Sequence, residues 1–168
     1  MSYAALNVTR AIAAPAEKPI YPRLYNINRS AAIRILLVED DASDIMLTKI
    51  ALDAAGMDYN LCTLKNGEEV VPYLRRQLKN RDGHIPDVLL LDLSLPEVDG
   101  FEILSTLAEM SVISERISTL PIVILTGDTH CAFLKRCYGL NIMEYLTKPC
   151  SAEKIHNLMN ALRRNKNR

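Results

Sequence analysis

Ile33-Arg34-Ile35-Leu36-Leu37-Val38-Glu39-Asp40-Asp41 joins six almost uniformly apolar residues to three consecutive acids. A short continuous apolar run marks a strand covered on both faces, as in all-parallel sheets. Val88-Leu89-Leu90-Leu91 and Ile122-Val123-Ile124-Leu125 have the same character. Tyr59–Leu64 is half polar and suits an edge strand, and Glu144–Leu146 makes a short fifth.

Helical spacing fills the intervals. Met46, Leu47, Ile50, Ala51 and Ala54 give a first helix that Gly56 can end. Val70, Val71, Leu74 and Leu78 give a second, with Pro72 near its first turn. Phe101, Leu104, Leu107 and Ala108 give a third, Thr129–Tyr138 a short fourth, and Ile155, Leu158, Met159 and Leu162 a fifth with Ser151 as N-cap. Ser111–Thr119 either extends the third helix or forms a loop. Five β-α units imply an α/β fold with right-handed crossovers between parallel strands. The expected sheet is doubly wound and five-stranded, in the flavodoxin-like order 2-1-3-4-5.

Composition agrees with a single domain. Of 168 residues, 49% are hydrophobic and 24% charged, and 20 basic residues balance 20 acidic ones. That balance gives no charge argument for nucleic acid or membrane, and no apolar run approaches the ~20 residues of a spanning helix. Cys62, Cys131, Cys137 and Cys150 lack zinc spacing and read as free thiols in a reducing cytoplasm. Residues 1–31 read as a flexible, solvated arm, 32–165 as the domain and 166–168 as a tail. Within the arm, Arg10, Lys18, Arg23 and Arg29 face only Glu17, a net +3.

The polar residues that matter follow the strands. Glu39, Asp40 and Asp41 follow the first, Asp92 the third, Thr126 the fourth and Lys148 the fifth. Ligand sites in open α/β sheets lie outside the carboxyl ends of the strands, so these side chains are expected to share one cleft. Carboxylates ~5 Å apart repel by about 3 kcal/mol per pair at an effective dielectric of about 20. A hard divalent cation such as Mg²⁺ offsets that repulsion. Lys148 and Thr126 can meet phosphate oxygens, and one Asp remains as a nucleophile for phosphoryl groups. Taken singly, each residue has a plainer reading: Asp41 as a helix cap, Thr126 as a cap, Lys148-Pro149 as a loop.

Val38-Glu39-Asp40-Asp41, Leu91-Asp92-Leu93-Ser94-Leu95-Pro96 with Asp99-Gly100, Leu125-Thr126-Gly127, and Tyr145-Leu146-Thr147-Lys148-Pro149 together resemble bacterial two-component response-regulator receivers. The likeness runs from Ala32 to Arg164. The single-domain format resembles chemotaxis-type receivers, and Asp44 to Arg76 is similar to the small regulators that partner bacterial phytochromes. The resemblance implies Asp92 as phosphoacceptor. Mg²⁺ would be held by Asp40, Asp92 and the Ser94 backbone carbonyl, with Glu39 acting through water. Lys148 and Thr126 would contact the phosphoryl oxygens, Lys148-Pro149 would be cis, and Gly127 would leave room for the group. Tyr145 would be the aromatic that swings as Thr126 moves. Ser94 and Asp128 stand at positions that tune dephosphorylation. Asn141 replaces a usual Gly, in a left-handed turn that Asn tolerates.

The expected partners are a histidine kinase and a downstream protein. The 19 residues after Pro149 suffice for one helix, so output is expected by protein contact rather than through a DNA-binding or catalytic domain. The expected surface is the helix at Thr129–Tyr138 with the fifth strand and last helix, around Phe133, Lys135, Tyr145 and Ile155, where a homodimer could also form. The protein would be a switch rather than a turnover enzyme. Two alternatives are a scaffold independent of phosphorylation and an Asp-nucleophile phosphatase of the haloacid dehalogenase type. The latter wants a second Asp where Ser94 stands. A flavodoxin-like FMN binder would need a Ser/Thr-rich loop in place of the acids at 39–41.

Overall fold

The computed structural model describes residues 32–80, 85–127 and 140–166. In chain order these form β1 (Ile33–Val38), α1 (Ala42–Ala54), β2 (Tyr59–Leu64), a 3-10 turn (Gly67–Glu69), α2 (Val70–Lys79), β3 (Val88–Asp92), α3 (Gly100–Ile113), α4 (Glu115–Ser118), β4 (Pro121–Thr126), β5 (Asn141–Thr147) and α5 (Ala152–Lys166). All strand pairs are parallel, in the order β2-β1-β3-β4-β5. The helix expected at Thr129–Tyr138 lies outside the described residues, as do residues 1–31.

The pleat explains the apolar runs. Ile33, Ile35 and Leu37 of β1 pack with Val88 and Leu90 beneath α1 and α5. Leu36 and Val38 pack with Leu89 and Leu91 on the other face, against α2 and α3. Successive side chains point to opposite faces, so a strand sandwiched between helix layers must be apolar at every position. Full burial contributes about 2 kcal/mol for each such Leu.

Local signals set the ends. Asp41 caps α1 by accepting the Ser43 and Asp44 amides at 2.7 and 3.0 Å, and these bonds hold its carboxyl below the ordinary Asp value. The cap is therefore complete above that value and is lost as pH falls through the lowered one. Gly56 follows α1 with φ +68°, and Ser151 accepts the Lys154 amide at the start of α5. Asp99 caps α3 through the Glu102 amide at 2.8 Å. Asp99→Ala is expected to lower stability by about 1 kcal/mol in urea unfolding. Tyr59 donates to Asp53 Oδ1 at 2.6 Å, and this bond pushes its phenol to about 12. The neutral phenol thus stabilises the fold below its unfolded value of ~10 and the benefit is lost as pH rises through about 12. In an ultraviolet pH titration, Asp53→Asn should remove one late-titrating tyrosine.

Several expectations need correction. The α1 stripe of Met46, Leu47 and Ile50 faces outward, at 58%, 43% and 52% exposure. The buried face is Ile45, Thr48, Ala51 and Leu52. Ser111–Thr119 does both things expected of it and adds a turn of helix: α3 reaches Ile113, Ser114 breaks it, and α4 follows. Asn141 starts β5 in extended conformation and donates to the Thr119 carbonyl at 3.2 Å, so no left-handed turn falls there. Ile155 is fully buried against the sheet, so it cannot belong to a recognition surface.

Candidate functional site

The acids converge at the carboxyl edge of the sheet. Glu39 directly follows β1 and Asp92 is the last residue of β3; they are 0% and 2% exposed. Asp40 beside them is open to solvent. Carboxylate oxygens of Glu39, Asp40 and Asp92 lie within 4.8 Å of one another. β1 and β3 are adjacent and in register at Val38 and Leu91, so the residues following each are neighbours.

One ammonium meets the acids. Lys148 Nζ donates to Glu39 Oε2 and Asp92 Oδ2, both at 2.9 Å, and is 2.7 Å from Asp44 Oδ2. Lys148 follows β5 directly, and its amide donates to the Thr126 carbonyl at 2.8 Å, which fixes its backbone beside β4; the Lys148-Pro149 bond is cis. The second Asp92 oxygen, Oδ1, accepts the Ser94 amide at 2.9 Å. Both oxygens of this buried carboxylate are therefore oriented.

Burial pushes the Glu39 carboxyl above its ordinary value; the Lys148 bond opposes this and the Asp92 charge reinforces it. Burial alone would lower Lys148, but its bonds to Asp44, Asp92 and Glu39 win and raise it. The cluster therefore favours a cation over deprotonated, unpaired acids.

Gly100 packs the loop after β3. A Cβ there would fall 2.6 Å from Leu93 Cα and 2.8 Å from the Asp92 carbonyl, so the α3 start packs directly against the end of β3. Glu97, in the same loop, takes φ +66°. At Gly127 a Cβ would meet nothing within 4 Å. Thr126 and Tyr145 are both half-buried on the neighbouring strands β4 and β5. Tyr145 lies opposite Ile124, two residues from Thr126 along β4.

The family profile of the response regulator receiver domain matches residues 35–160. The chain belongs to this family. The probable methanogenesis regulatory protein FilR2 of Methanothrix harundinacea is similar to the receiver at 38% identity, over 72% of this chain and 75% of FilR2. Response regulator Rcp1 of Synechocystis is 32% identical over 68% of this chain and 75% of Rcp1. Rcp1 in its Mn²⁺-bound form superposes with TM-score 0.58, covering 77% of this chain and 91% of that one at 28% identity. The bacteriophytochrome response regulator AtBRR superposes with TM-score 0.63 at 33% identity, covering 78% of this chain and 92% of AtBRR.

The receiver's sequence pointed to every member of this cluster except Asp44. Its position in the first turn of α1, just after the acids that follow β1, was the available signal. Phe133 and Lys135 lie outside the described residues.

Proposed function

We propose that this receiver is a phosphorylation switch that accepts a phosphoryl group on Asp92 from a histidine kinase. The observation carrying the reading is a buried Asp92 whose two oxygens are held by the Ser94 amide and by Lys148. An oxygen of Asp92 attacks phosphorus in line. A P–O bond forms as the P–N bond of the donor phosphohistidine breaks, and the imidazole nitrogen keeps the electron pair. Lys148 and the Thr126 hydroxyl stabilise the charge on the equatorial oxygens.

The donor set fits Mg²⁺: hard oxygens only, two of them on buried carboxylates. Asp40, Asp92 and the Ser94 backbone carbonyl would hold the ion, and Glu39 would act through water. When bound, the ion supplies charge neutralisation to the transferring group. The Mn²⁺-bound Rcp1 supports this assignment by similarity.

The phosphoryl group brings close to two negative charges. Thr126 moves toward it and Tyr145 turns into the vacated space; their places on adjacent strands, two residues apart in register, support this coupling. Carrying a switch from 1:99 to 99:1 takes about 5.5 kcal/mol of differential stabilisation. Output passes to a downstream protein, in the cytoplasm, through the face around β5; a homodimer through that face belongs to the same reading. No nucleic acid is contacted directly. Residues 32–165 form the switch and 1–31 an arm. Incubation with acetyl phosphate and Mg²⁺ tests the reading: intact mass should show one phosphoryl group per chain, and an unchanged mass would refute it.

A further inference from the structure

Lys148 has three N–H bonds, and three carboxylates take them. A phosphoryl group on Asp92 needs at least one. Which bond gives way follows from burial. Asp92 itself carries the incoming group. Glu39 is wholly buried, and without Lys148 the hydrogen bond left to its carboxylate among the described residues is from the Asp41 amide at 3.3 Å. Releasing Glu39 would strand a buried charge, which is costly. Asp44 is different. Its side chain is 29% exposed, so water can replace the ammonium there. It also stands outside the three carboxylates that close on one point.

We propose that Asp44 is a latch on Lys148, a positioning residue that holds the ammonium in the resting state and exchanges it for water when a phosphoryl group arrives. The inference rests on the phosphoacceptor reading of Asp92. Asp44 restrains phosphorylation in two ways that add. It occupies the N–H that the phosphoryl oxygen must take, and its own negative charge stands beside the path of a dianionic group. Its ordering of the Lys148 side chain acts the other way. That term is the smaller, because Glu39 and Asp92 still hold two of the three N–H bonds when Asp44 is neutralised. The latch therefore sets the rate of phosphoryl uptake without touching the reacting atoms.

The test compares wild type, Asp44→Asn and Asp44→Glu. Phosphoryl uptake from acetyl phosphate is followed by intact mass at saturating Mg²⁺, and Mg²⁺ affinity is followed by NMR shifts. Asp44→Asn should take up phosphoryl about tenfold faster, because one unit of like charge leaves the approach path. Its Mg²⁺ affinity should fall by about threefold, since the acidic cluster loses charge. A role limited to stability would move both quantities downward, so the opposite signs are diagnostic. Asp44→Glu, which restores the charge, should return the rate toward wild type. A rate in Asp44→Asn equal to or below wild type overturns the latch while leaving the phosphoacceptor reading intact. Absence of uptake by wild type overturns that reading, and the latch with it.

Discussion

Asp92→Asn is expected to take up no phosphoryl group under conditions that fully label wild type, a loss of at least about 100-fold in rate. An amide oxygen is a far poorer nucleophile than a carboxylate. The substitution is close to isosteric, so the 2% exposed side chain still fits its site. Its oxygen can still accept the Ser94 amide, which now meets Asp92 Oδ1 at 2.9 Å. The other side of the group changes more: an NH₂ would face Lys148 Nζ where a carboxylate oxygen now stands at 2.9 Å. Lys148 would turn toward Glu39 and Asp44, and Mg²⁺ would bind more weakly through loss of one anionic donor. Intact mass after acetyl phosphate treatment decides the matter. Equal labelling of the variant would move the acceptor to another side chain.

Lys148→Met is expected to split stability from metal binding. Its ammonium sits among three carboxylates, one fully buried and one nearly so. Removing one partner of a buried charge pair costs about 3 kcal/mol, because the other charge remains without compensation. Metal-free Lys148→Met should therefore unfold at clearly lower urea than wild type. Mg²⁺ should recover most of the difference, since the ion supplies the missing positive charge. Its affinity should rise by about tenfold, because a competing cation has gone. The pH dependence has a definite sign. Lys148 is raised in the folded protein, so its advantage over Met is complete below the ordinary lysine value and is lost as pH rises through the higher, folded one. Glu39 is also raised, so its burial begins to cost stability as pH climbs through the carboxylate range. Urea titrations with and without Mg²⁺ check both points. A variant as stable as wild type in chelator would show that the acids do not need the ammonium.

How far the sequence led depended on which physical constraint was acting. β1, β3 and β4 were legible because burial on both faces forces an uninterrupted apolar run, and few other arrangements do so. The meeting of Glu39, Asp92 and Lys148 was legible because each stands at a strand end, and parallel order alone brings strand ends to one edge. The buried side of α1 was not. Met46, Leu47 and Ile50 satisfy helical spacing as well as Ile45, Ala51 and Leu52 do, and the true core side includes Thr48, whose hydroxyl disguised it. Periodicity ranks faces by polarity, whereas the crossover from β1 to β2 decides which one meets the sheet. Ile155 failed for a related reason: its place on α5 was right, but spacing says nothing about whether a residue points to the sheet or to a partner. Asp44 escaped notice because a first-turn Asp is ordinary helix chemistry. Only the position of Lys148, 104 residues away in the chain, gives it another role.

The acids and the ammonium descend from β1, α1, β3 and β5, and no stretch of chain owns more than two or three of them. A piece ending before Asp92 would keep Glu39, Asp40 and Asp44 with neither acceptor nor ammonium; one ending before Lys148 would gather the negative groups unneutralised. The cluster is thus a property of the closed sheet, and on the proposed reading phosphoryl uptake would double as a gauge of whether β1 through β5 have come together.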